Sequence, residues 1–175
     1  VLITVDAGRL WAAKTSNVLQ PVTSAKLQSR IPSHLRDPDG HWFGLAKRAR
    51  VIVINKNSNL KTKITNYNDL GKASLRGKVC MRSSSNIYNL SLLSSIIEHN
   101  GGKYAEQWAR NVVKNFARKP QGNDTAQLRA VASKECGVTI ANTYYIARLM
   151  DSPKKSDQII ASSLSVIFPD QNGQG

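Results

Sequence analysis

Tyr144 and Tyr145 stand side by side after a short β-branched run, Val138 to Ala141, and Arg148 follows three residues after the second phenol. A third phenol, Tyr88, comes after the apolar stretch around Lys78 to Arg82 and the polar run Ser83-Ser84-Ser85-Asn86. Three of the chain's five tyrosines therefore lie just beyond expected strand ends, where open α/β sheets bind ligands. A phenol ordinarily keeps its proton until a pH of about 10. A hard trivalent cation reverses that preference: it selects the deprotonated oxygen, and binding releases protons. Arg148, one helical turn beyond Tyr145, is placed to offset the negative charge of several phenolates. Against this, a Tyr-Tyr pair after a strand is more often packing with its hydroxyls bonded to backbone. Ser83 to Asn86 more often only caps a helix, although Ser84, Ser85 and Asn86 could instead hold an anion at the helix N-terminus.

Other chemistry is thin. His34, His41 and His99 are scattered without ligand spacing, and Gly122-Asn123-Asp124-Thr125 is a weak phosphate-friendly turn. No G-x-S-x-G, P-loop or dinucleotide fingerprint occurs, and no nucleophile is paired with a base, so no enzyme is expected. Cys80 and Cys136 lack the CxxC spacing of a structural zinc site. Both lie in or beside strand-like runs, and the residues alone leave open either one disulfide or two buried thiols.

These groups need elements to position them. Val1 to Val5 reads as a buried strand, so the chain is expected either to have lost a leader or to start inside a fold. A helix over Arg9 to Lys14 is stopped before Pro21, and Ile31 to Gly40 is loop. Arg50 to Asn55 is the strongest strand signal, buried on both faces. Lys78 to Arg82 is a second strand. A helix from Ile87 to about Asn100 puts Leu90, Leu93, Ile96 and Ile97 on one face, and Gly101-Gly102 ends it. Further helices cover Tyr104 to Phe116, with Trp108, Val112 and Phe116 as the stripe, and the stretch from Asp124-Thr125 through Leu128, Val131 and Ala132. Gly137 to Ala141 is a strand, Asn142-Thr143 cap a helix to about Met150, and Leu164 to Phe168 is the last strand. Alternating strands and helices predict an α/β fold with parallel pairing. The runs Val51–Ile54 and Leu164–Phe168 bracket what reads as a lobe inserted between two crossing strands.

The 25 Lys and Arg against 11 Asp and Glu give a formal net charge of +14. The basic residues are spread along the whole sequence without interleaved aromatics, so no nucleic-acid partner is expected. An anionic membrane surface nearby is a second way to read that charge.

Several segments in order resemble the ferric-iron-binding proteins of bacterial ABC importers, in the tyrosine-rich cyanobacterial and proteobacterial branch. They are Asp6-Ala7-Gly8-Arg9-Leu10-Trp11, Arg50 to Asn55, Arg82 to Asn89, Asn115 to Gly122 with Asp124-Thr125, Asn142-Thr143-Tyr144-Tyr145-Ile146-Ala147-Arg148-Leu149, and Phe168 to Gly173. The resemblance implies an α/β fold of the periplasmic binding protein type II kind. It divides into a partial first lobe over residues 1–50, a hinge strand over 51–56, a complete second lobe over 57–162, and a return strand and tail over 163–175. It implies Fe³⁺ held by Tyr88, Tyr144 and Tyr145, with Arg148 beside them and water or a synergistic anion completing the coordination. It implies a periplasmic substrate-binding component that delivers iron to an inner-membrane permease. The family's proteins are longer and take a further tyrosine from near their mature N-terminus. The chain is therefore expected to be truncated at both ends and to self-associate through its incomplete first lobe. The alternative is a degenerate paralogue that keeps the fold as an interaction protein. A Cys80–Cys136 bond would tie the two ligand-bearing strands together.

Overall fold

A computed structural model describes residues 1–171. Asn172 and Gly173, and the end of the expected tail, lie outside the described residues. The chain divides into two compact units, Val1–Lys47 and Arg48–Gly175.

In the first unit, α1 (Ala7–Thr15) begins where the Asp6 carboxylate accepts the Gly8 amide at 3.2 Å, and α2 (Ala25–Arg30) begins where the Ser24 hydroxyl accepts the Leu27 amide. These side chains satisfy amides that the first helical turn leaves open. Asp37 gathers the rest of the unit: its carboxylate accepts from Lys14 Nζ at 2.8 Å and from the His41 amide at 3.1 Å, and it contacts His41 Nδ1 at 2.8 Å. Val1 to Val5 is not a strand. Its backbone joins no ladder among the described residues, and Val1, Leu2, Ile3 and Val5 are exposed. β-branched composition favours a pleated, half-buried surface, but it makes no strand without a partner.

The second unit is built on a four-stranded sheet: β1 (Arg50–Asn55), β2 (Val79–Cys80), β3 (Val138–Asn142) and β4 (Leu164–Ile167), in the order β2-β3-β1-β4. β2 pairs with β3 in parallel, but β1 runs antiparallel to both β3 and β4. The expectation of parallel pairing is thus corrected for two of the three pairs. The segment between β1 and β2 makes only short 3-10 turns, so it supplies no crossover helix to carry the chain back, and β2 starts at the end where β1 finishes. β1 is buried on both faces, as its composition predicts. Val51 and Val53 enter the core shared with α5 (Asp124–Ala132), α6 (Thr143–Met150) and α7 (Lys155–Ser163), while Ile52 enters the core under α3 (Ile87–Asn100) and α4 (Gly102–Lys114). The two-residue alternation of the strand therefore feeds two helical layers from one run.

α3 has the expected bounds and part of the expected buried face, with Leu93 half-buried against the core. Leu92 and Ile96 are buried, whereas Leu90 and Ile97 are exposed. The helix is apolar on several sides, so periodicity alone does not choose its seam; packing against α4 does. Gly101, at φ 84°, ends α3 and turns the chain straight into α4 in a conformation side-chain-bearing residues rarely adopt. α7 carries a short, mixed pattern that sequence reasoning does not pick out; it closes the layer beside α6.

Candidate metal centre

β2 and β3 are parallel neighbours, so both strands deliver their C-terminal segments to one rim. From β2 the chain continues through Arg82 and the serine run to α3, whose second residue is Tyr88. From β3 it enters α6, whose second and third residues are Tyr144 and Tyr145. Three phenols predicted from separate parts of the sequence are thereby brought together. Tyr144 Oη lies 3.1 Å from Tyr88 Oη, and the rings of Tyr144 and Tyr145 are 4.4 Å apart between centroids. All three are partly buried.

Their protons are unevenly held. Tyr88 lies above its ordinary pKa, first because of its hydrogen bond with Tyr144 and then because of burial. Burial also pushes Tyr145 up to about 12, with the hydrogen bond to Tyr144 adding to it. Burial opposes ionisation of Tyr144 too, but its hydrogen bonds with Tyr145, Tyr88 and Asn142 outweigh it and bring Tyr144 below its ordinary value. The Tyr144 oxygen is the one its three neighbours favour as a phenolate.

The surroundings are cationic. The guanidinium carbons of Arg48, Arg82 and Arg50 stand 5.0, 5.3 and 5.8 Å from the Tyr88 ring centre. Arg148 lies 5.3 Å from the Tyr144 ring and 5.9 Å from that of Tyr145, the place its spacing predicts. Arg50 and Arg82 are held by one buried carboxylate. Asp124 Oδ2 accepts from Arg50 and Oδ1 from Arg82, both at 3.0 Å, and the Asn142 amide donates to Oδ2 at 2.9 Å. Arg50 also donates to Asn142 Oδ1 and Asn89 Oδ1, and Asn89 returns Nδ2 to the Arg82 carbonyl. Sequence reading took Arg50 as a strand start and Asp124 as a helix start, and so missed this layer. The Nε atoms of Arg50 and Arg82 are buried without a hydrogen-bond partner.

The serine run is engaged locally. Ser83 and Ser85 share a 2.7 Å hydroxyl contact, and Asn86 caps α3 by accepting the Tyr88 amide at 3.0 Å. The Cys80 and Cys136 sulfurs are bonded, with Cα atoms 5.8 Å apart, joining β2 to the turn before β3. His34 and His41 fall in the first unit, and His99 lies in the last turn of α3.

A family model for bacterial extracellular solute-binding proteins matches residues 2–173. The chain belongs to that family. It is 47% identical to iron uptake protein A1 of Synechocystis over its full length, which is 49% of that protein. Among solved structures it is similar to a Trichodesmium protein described in complex with iron and citrate, at 50% identity and a TM-score of 0.91, covering 97% of this chain and 54% of the other. The ferric binding protein of Campylobacter jejuni gives 43% identity and a TM-score of 0.93, covering 97% and 54%. The fold is the α/β fold of these ferric-binding structures, and the chain spans about half the length of the relatives it matches.

Proposed function

We propose that this chain binds Fe³⁺ as cargo through the phenolate oxygens of Tyr88, Tyr144 and Tyr145. On this reading it acts as the substrate-binding component of a periplasmic ABC iron importer and hands the ion to an inner-membrane permease without catalysing a reaction. The observation that carries the reading is the convergence of three phenols from two strand ends, with two oxygens already 3.1 Å apart. The similarity to iron-binding relatives supports the choice of cargo. Three phenolates would balance the charge of Fe³⁺, and Arg148 beside two of them offsets their mutual repulsion. Water or an anion completes the coordination. Arg48, Arg50 and Arg82 supply positive charge for an anion, and Ser84, Ser85 and Asn86 are further donors nearby in sequence.

Titration of the iron-free protein with ferric citrate tests this. A visible phenolate-to-iron charge-transfer band is expected, strongly reduced in Tyr145→Phe. No band in the wild type, or an unchanged band in the variant, would reject the site.

A further inference from the structure

Seven of the 25 basic residues, dispersed in sequence, are gathered at one end of the second unit's sheet. β1 finishes, and β2 and β3 begin, at the pole away from the phenols. Lys56 follows β1, and Lys78 precedes β2, its carbonyl accepting the Gly137 and Val138 amides at 2.8 and 3.0 Å. Lys114 ends α4, and its carbonyl accepts from Arg76 Nη1 at 3.1 Å. Lys134 sits in the turn after α5. Lys61 and Lys63 flank Thr62, whose hydroxyl is bonded to that of Ser74 in the segment leading to Arg76. All seven cations are exposed, and among the described residues none of them enters an ion pair. The acidic neighbours are already engaged: Glu135 with Arg118 at 2.6 Å, and Asp69 with Lys72 at 2.6 Å.

We propose that this pole is a docking surface for an anionic lipid bilayer. Charge complementarity carries the choice. Clusters of about four to eight Lys and Arg bind anionic headgroups, each contributing on the order of a five-fold gain. Six of the seven cations are lysines, compact hydrated charges suited to a diffuse headgroup layer rather than to bidentate recognition of one phosphate. A nucleic-acid strand is disfavoured because exposed aromatic rings for stacking are elsewhere: Tyr104 lies in the first turn of α4 and Phe168 beyond β4, both away from this pole, and Trp11 belongs to the first unit. Docking by this pole keeps the phenol rim, at the other end of the strands, off the bilayer. The inference does not depend on the iron reading.

The test is co-sedimentation of the chain with phosphatidylcholine vesicles, with and without about 30% phosphatidylglycerol, at low and high salt. The variant Lys78→Glu/Lys114→Glu/Lys134→Glu is compared with the control Lys103→Glu/Lys154→Glu/Lys155→Glu, which changes net charge equally at exposed positions away from the pole. Salt-sensitive binding to the anionic vesicles alone is expected, weakened at least about 100-fold in the pole variant and little changed in the control. Absence of binding, or equal loss in both variants, would overturn the proposal. So would duplex DNA of matched charge binding as tightly with the same dependence on the pole.

Discussion

Asp124 carries one negative charge between two guanidinium groups, and its side chain has no exposed surface. Removing one member of such a buried set strands the others' charge, so Asp124→Ala is expected to lower stability by roughly 3–5 kcal/mol, measured by urea unfolding. A loss under about 1 kcal/mol would show that the arginines find other partners. The same residue marks the boundary of what could be read from sequence. The three tyrosines and Arg148 were legible because each lies within a few residues of a strand end, where position alone suggests a rim. Asp124, Arg50 and Arg82 were not, because their contacts span 74 and 42 residues. Arg48 was invisible for the same reason: its nearness to Tyr88 exists only once β1 lies beside β3.

Among the elements, the Cys80–Cys136 bond closes a loop of 56 residues around α3, α4 and α5. Restricting the unfolded chain over that length is worth about 4 kcal/mol, so Cys80→Ala/Cys136→Ala should lower the denaturant midpoint correspondingly. Two reactive thiols in the denatured, unreduced wild type would show the bond absent in solution. In the first unit, burial works against ionisation of Asp37, but hydrogen bonds from Lys14 and His41 outweigh it and hold the carboxyl at about 2 against an ordinary 3.8. A depressed acid stabilises the fold above its unfolded pKa and loses that contribution as pH falls through the folded one. The amides of Val1–Lys47 should therefore lose exchange protection between about pH 4 and 2, and Lys14→Met should move that loss to higher pH. Unchanged protection across the window would place the unit's stability elsewhere. Strand β1 was readable because its continuous β-branched run is buried on both faces, and helices α4 and α5 because each buries its apolar residues. α3 was located with half of its face right: Ile96 and Leu93 pack as read, but Leu90 and Ile97 are as apolar as Leu92, which is buried in their place. Val1 to Val5 failed because strand character needs a partner that no local pattern reveals.

For the whole molecule, the two units differ in how they cover apolar surface. Only Ile31 and Asp37 are buried in Val1–Lys47, while Val1, Ile3 and Trp11 stand largely in solvent. Exposed apolar area of that kind favours association. Sedimentation velocity of the 175-residue chain should show a species that grows with concentration and recedes in Trp11→Asp; a monomer throughout would remove self-association. The alternation of strands and helices made the α/β class legible, but strand direction was not, because it depends on which end of the sheet each long connection returns to. That arrangement has a consequence in time. β1 is a central strand, yet both strands that flank it come far later in the chain: Arg50 is opposite Asn142, 92 residues on, and Asn55 is opposite Leu164. A polypeptide emerging from its N-terminal end must carry Val51 to Ile54 without their strand partners until the residues of β3 and then β4 have been made. The contacts that close the sheet around β1 can therefore form only after the segments of α3, α4 and α5 have emerged.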